Sequence, residues 1–123
     1  MSKPCRDQDI TISPTKGDVS VIFNGKTIAH SAAALDLREA KYPVVIYIQL
    51  ADVDQIFLNP SDHSTHCPYK GDASYYSLQD GEKISKNAVW FYDTPCPLVA
   101  RIKGHVAFWG SDIKYLSEGA ADS

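Results

Sequence analysis

The chain has 123 residues, 44% of them hydrophobic and 22% charged, which is enough to bury one core and too little for two ordinary domains. Its formal net charge is -3 and no run of Lys or Arg occurs, which argues against a general nucleic-acid surface or an anionic-membrane surface. The longest apolar run, Val44 to Ile48, is far short of a bilayer span, and the opening MSKPCRDQD lacks the apolar segment of a secretory signal.

Residues 1 to 9 are polar and read as loose, and Ile10, Ile12 and Pro14 suit a short lead-in strand that ends at the proline. Firm order is expected from about Asp18. Val19 to Phe23 and Lys26 to Ala29 are β-rich runs joined by Asn24-Gly25, the dipeptide favoured in a type I′ hairpin turn. The Ala-rich stretch after Ser31 has helical propensity, yet Leu35, Leu37 and Glu39 recur at period two, so a strand is expected from Leu35 onward. Pro43 opens VVIYI, whose composition suits a strand buried on both faces. Asp52 can cap a short helix, DVDQIFL, with Val53, Ile56 and Phe57 on one face, before Asn59-Pro60 stops it.

Ser61 to Ser77, SDHSTHCPYKGDASYYS, then crowds two His, a Cys, a Lys and three Tyr into what reads as a turn-rich loop followed by a strand, Ala73 to Leu78. Pro68 and Gly71 bracket Tyr69-Lys70, a pattern that fixes a turn and aims the lysine. Gln79 to Glu82 turns the chain into the aromatic strand Ala88 to Tyr92, which the prolines of DTPCP end. Leu98 to Lys103 fits a short helix closed by Gly104, His105 to Trp109 is the expected last strand, and the tail SEGAADS is expected to fray. These elements predict a mainly β fold with one or two short helices, either a small antiparallel barrel or two packed sheets. Residues 1–17 read as an N-terminal extension, 18–116 as the single domain and 117–123 as the tail. Cys5, Cys67 and Cys96 are odd in number with no Cys-x-x-Cys spacing, which suits free thiols and a cytoplasmic, reducing location.

The order NGKTIAHS, LREAKYPVVIYI, CPYKGDASYYS, NAVWFYDTPCP and GHVAFW resembles the domain of unknown function 427 family, from about Asp18 to Tyr115. The resemblance implies a compact, mainly β, single-domain cytosolic protein similar to the β-tent group, under a nucleotidyltransferase-like label with no established activity. The recurring polar and aromatic positions of that family fall on Glu39, Tyr47, Asp52, His63, Cys67, Tyr69, Lys70, Tyr75 and Trp90. Gln49-Leu50-Ala51 departs from the proline and charged residue common there, which weakens any role for the rim before Asp52.

Three chemistries compete for these residues. A ligand pocket would use Lys70 as a positive head, Glu39 as its partner, and Tyr47, Tyr75 and Trp90 as aromatic walls, with His63, Cys67 and Tyr69 near the rim. The bland alternative is a structural ion pair over an ordinary aromatic core. His63, His66 and Cys67 offer zinc donors without an obvious fourth, and Cys67 with a histidine base offers a nucleophile without a visible oxyanion pocket. No Gly-rich phosphate loop supports the nucleotidyltransferase-like label. The expectation is therefore a small planar or anionic ligand, no metal, no cofactor, no nucleic-acid or membrane partner, and a monomer or weak homodimer. An enzyme using the same pocket and a protein-interaction scaffold are the alternatives.

Overall fold

The computed structural model describes residues 5–117. Among them the strands are β1 (Ile10–Pro14), β2 (Val19–Phe23), β3 (Lys26–Ser31), β4 (Leu35–Glu39), β5 (Val45–Gln49), β6 (Leu58–Cys67), β7 (Gly71–Asp80), β8 (Lys83–Tyr92), β9 (His105–Phe108) and β10 (Ile113–Ser117). They form two antiparallel sheets, one of seven strands in the order β1-β4-β5-β9-β8-β7-β6 and one of three in the order β10-β2-β3. The domain is mainly β with only short 3-10 turns, and the two-sheet form holds rather than the closed barrel.

Alternation along the large sheet gives it two apolar faces. Ile46 and Ile48 of β5, Val89 of β8, Val106 and Phe108 of β9 and Leu78 of β7 meet Val19, Val21, Phe23 and Ile28 of the small sheet in one core. The opposite face carries Leu35, Leu37, Tyr47, Ala73, Tyr92 and Ala107, and it is covered by the 3-10 segment Pro97–Ile102 through Val99 and Ile102. Strand β5 therefore does bury both faces, as its composition predicts. The sheets are also tied at their edge, where Asn24 Nδ2 and Lys26 Nζ donate to the two oxygens of Asp80 at 2.9 and 3.0 Å. Those two donors, Asn24 first, hold the Asp80 carboxyl below its usual range.

The Asn24-Gly25 turn has φ of 52° and 77°, the left-handed pair a type I′ hairpin needs. Several other expectations are corrected. Order starts earlier than Asp18, because β1 pairs along its whole length with β4 from Ile10↔Glu39 to Pro14↔Leu35. The DVDQIFL helix is instead two 3-10 turns, Leu50–Asp52 and Gln55–Phe57, the second capped by Asp54 rather than Asp52. Val53 between them bridges Ala29, so backbone pairing to β3 outcompetes helix continuation there. Asp52 instead accepts from the buried Ser31 hydroxyl at 2.6 Å.

Most of the expected central loop is strand. β6 and β7 form a long hairpin in which only Pro68, Tyr69 and Lys70 turn, and polar side chains are tolerated because β6 is the sheet edge and faces water. The expected helix from Leu98 is a kinked 3-10 segment, and His105 to Trp109 is not the last strand: β10 follows and pairs with β2. Its alternation is short and mixed with charge, so the signal was weak. Of the expected frayed tail, Ser117 ends β10 and residues 118–123 lie outside the described residues.

Free thiols are the remaining correction. Cys5 and Cys96 form a disulfide across 91 residues of sequence, with Cα atoms 5.9 Å apart, and Cys67 is the free cysteine among the described residues. An odd count with no local spacing hides a long-range pair, and the cysteine argument for a reducing compartment falls with it. Among the described residues, no helix is long and apolar enough to cross a membrane.

Candidate functional site

The face of the large sheet turned away from the small sheet is not completely filled. Tyr75 of β7 lies opposite Trp90 of β8, and Tyr47 of β5 and Tyr92 of β8 point to the same side by the period-two rule. Between them and the ends of β4 and the β6–β7 turn is a cavity of about 360 Å³, lined by Leu37, Glu39, Val45, Tyr47, Lys70, Tyr75, Asn87, Trp90, Tyr92 and Trp109.

Each polar group arrives by a local device. Lys70 ends the three-residue turn, whose exit at Gly71 has φ of 113°, and a Cβ there would sit 3.3 Å from the Thr94 carbonyl oxygen. Only glycine fits that conformation so close to a second backbone. The turn is strapped on both sides, since Arg6 N–H donates to Pro68 O and Cys96 N–H donates to Lys70 O, both at 2.8 Å. Glu39 is the last residue of β4, and the chain leaves it through Ala40 at φ 46°. The Lys70 ammonium meets Glu39 Oε1 at 2.5 Å, and both side chains are largely shielded, at 14% and 16% exposure. Asn87 sits in a left-handed bulge at φ 54°, held by a backbone N–H to Ser77 Oγ and by Ser61 Oγ donating to its Oδ1.

The aromatic groups are ordered by contacts among themselves. Trp90 Nε1 donates to the Tyr47 hydroxyl at 3.2 Å, and Tyr75 shares a hydrogen bond of 2.9 Å with Thr65. Burial pushes the Tyr47 phenol up to about 12, against a smaller lowering by the Trp90 hydrogen bond. Burial likewise raises Tyr92 well above the ordinary phenol range. At neutral pH both floor hydroxyls keep their protons.

Of the residues expected from sequence, the fold gathers Glu39, Tyr47, Lys70, Tyr75 and Trp90 around this one cavity. The His63 ring lies tilted against that of Tyr75, with centroids 4.6 Å apart, and Cys67 packs half-buried into the apolar cluster that includes Tyr47 and Tyr92. Tyr69 is half-buried in the turn and does not line the cavity. His66 pairs with Asp72 at 2.6 Å. Among the described residues, no three His, Cys, Asp or Glu side chains group around a point a metal ion could occupy. Tyr92, Asn87 and Trp109 belong to the lining and were not singled out. Tyr92 was legible, since it follows Trp90 at period two, whereas Asn87 depends on a bulge and Trp109 lies past the end of β9.

The cavity continues toward a second, apolar one of about 540 Å³, sharing Val45, Trp90 and Trp109 with it. The opening arises because β5 and β9 pair only at Ile48↔Val106 and Gln49↔His105 and then part. Tyr115 of β10 closes the gap in the ladder: its hydroxyl accepts from Phe108 N–H at 2.9 Å and faces the Ile46 carbonyl at 3.4 Å. A phenol thus satisfies backbone groups that the missing pairing would orphan. Trp109, 77% exposed, stands at the mouth.

No curated protein matches the chain. The family model described as a domain of unknown function (DUF427) matches residues 11–119, and the chain belongs to that family.

Proposed function

We propose that the domain binds a small planar ligand in the cavity beside Lys70. The observation that supports this best is the unfilled space between the Tyr75–Trp90 cross-strand pair and the Lys70–Glu39 ion pair. A core that buried these aromatics for packing alone would close the space, because protein interiors reach crystal-like density. Flat aromatic walls favour a flat ligand, and a polar end orients it. An anionic ligand draws less support, since Glu39 already neutralises the lysine charge.

An enzyme working in the same cavity draws support from one observation, the Lys70–Glu39 contact at its edge, which provides a proton donor and acceptor side by side. The Cys67 alternative lacks such support: among the described residues no hydrogen bond joins Cys67 to His63 or His66, which are engaged with Tyr75 and Asp72.

A thermal-shift screen of planar metabolites against the wild type and Trp90→Leu tests the binding reading. A ligand that prefers the folded state raises the melting temperature of the wild type, and loss of the indole wall abolishes that rise. Compounds that shift both proteins equally, or a broad panel without a single shift, refute it. Turnover of a bound compound would move the assignment to the enzyme reading.

A further inference from the structure

The hydrogen-bond capacity of the cavity is lopsided. The Tyr47 hydroxyl accepts from Trp90, and among the described residues its own proton has no acceptor. The Tyr92 hydroxyl makes no hydrogen bond to any described residue, although Tyr92 is only 6% exposed. Among the described residues no fully enclosed side-chain polar atom lacks a partner, so this hydroxyl is not fully enclosed, and Tyr92 is one of the residues that line the cavity. Asn87 spends its oxygen on Ser61, leaving its amide N–H groups, and Lys70 spends one of three protons on Glu39. Against these donors the lining offers one carboxylate, Glu39, already paired with Lys70; the phenol oxygens keep lone pairs but carry no charge. A buried phenol that keeps its proton has that proton to donate, and an unpaired buried donor is costly.

The ion pair leaves the lining with no net charge, because Lys70 and Glu39 are its only formally charged members. A low-dielectric, uncharged floor penalises an anion, whose desolvation no free cation repays. We propose that the cavity selects a neutral planar ring bearing a carbonyl, whose oxygen is received by the Tyr92 hydroxyl with Tyr47 as a second donor. This rests on the ligand-binding reading above and names the ligand class for it.

Three compounds on one bicyclic ring separate the possibilities: 4H-chromene, which has no carbonyl, chromone, which has one, and chromone-2-carboxylate, which adds a charge. Each is titrated by NMR into wild type and Tyr92→Phe. Tyr92→Phe keeps the ring and removes a hydroxyl that no described protein group uses, so its melting temperature should equal or exceed that of wild type. Chromone is expected to bind wild type about tenfold tighter than 4H-chromene, the worth of one net hydrogen bond in a shielded site. In Tyr92→Phe that advantage should shrink to within about twofold, with 4H-chromene unaffected. The carboxylate should bind more weakly than chromone. Equal binding of chromone and 4H-chromene, or equal weakening of both by Tyr92→Phe, leaves a ring-binding cavity and overturns the carbonyl selection. Tightest binding by the carboxylate overturns it too. Binding of none of the three by either protein removes the ligand-binding reading and this inference with it.

Discussion

Removing the Cys5–Cys96 disulfide should lower stability through the unfolded chain rather than the folded one. Cys5 is exposed and Cys96 is buried, so Cys5→Ser is the cleaner substitution: it leaves no polar hydroxyl in the core. The bridge spans 91 residues, and the loop-closure entropy it removes from the unfolded ensemble amounts to about 4.6 kcal/mol at 25 °C. Engineered and native cross-links often deliver less, down to about 2 kcal/mol. A chain of 123 residues has an unfolding entropy of about 260 cal/mol/K, so the expected drop in melting temperature is about 8 to 18 °C. The folded state should change little, because β1 stays paired with β4 and Arg6 stays bonded to Pro68. Calorimetry and urea melts of wild type and Cys5→Ser measure this, with thiol titration confirming that unfolded wild type shows one free cysteine. The urea m-value should also rise in Cys5→Ser, since an uncrosslinked chain exposes more surface. A Cys5→Ser melting temperature within about 2 °C of oxidised wild type would refute the reasoning.

Gly25→Val should cost about 1 to 2 kcal/mol, all of it backbone strain, because Gly25 has φ of 77° and nothing lies within 4 Å of a Cβ there. An unchanged urea midpoint would contradict the turn geometry. Stability should also fall in alkali. Below pH 10 the Tyr47 phenol is protonated in both folded and unfolded chains and its contribution is intact; from there to about 12 the unfolded phenol ionises first. The loss over that window is about 3 kcal/mol for Tyr47. Tyr92 and Tyr115, raised by the same cause, steepen the decline. Tyr47→Phe should therefore flatten the stability slope above pH 10, and an identical slope in the variant would show that burial does not hold this proton.

The parts of the fold written in local pattern were legible. Asn24-Gly25 announces its own turn, and the period-two spacing of Leu35, Leu37 and Glu39 overrode an Ala-rich helical propensity in the right direction. The gathering of Glu39, Lys70, Tyr75 and Trp90 was legible for the same reason, since the Pro68–Gly71 bracket and the strand periods fix where those side chains point. What stayed hidden is long-range. Cys5 and Cys96 meet because β1 joins the far edge of the sheet, a pairing no spacing encodes. The polar run SDHSTHC reads as loop because an edge strand facing water needs no apolar alternation. Val53 looked helical and is held extended by Ala29, a tertiary contact that outweighs propensity.

The Pro68–Lys70 turn joins these local and long-range features. Its backbone is held by two carbonyl contacts, from Arg6 and from Cys96, and those two donors belong to the two segments that the disulfide links. The disulfide, the Gly71 packing against Thr94 and the Lys70–Glu39 ion pair therefore restrain one three-residue turn from three directions. A lysine on a free hairpin tip would lose its rotamer entropy on pairing and gain little in water, since exposed ion pairs contribute about 0 to 1 kcal/mol. Here the backbone is fixed before the side chain pairs, so the ammonium is held at the cavity edge at small additional entropic cost. The disulfide acts on folding through the unfolded chain, whereas the fixed turn acts on the folded state, by setting where the Lys70 ammonium stands. For the ligand binding proposed above, a group already in place need not be ordered when a ligand arrives.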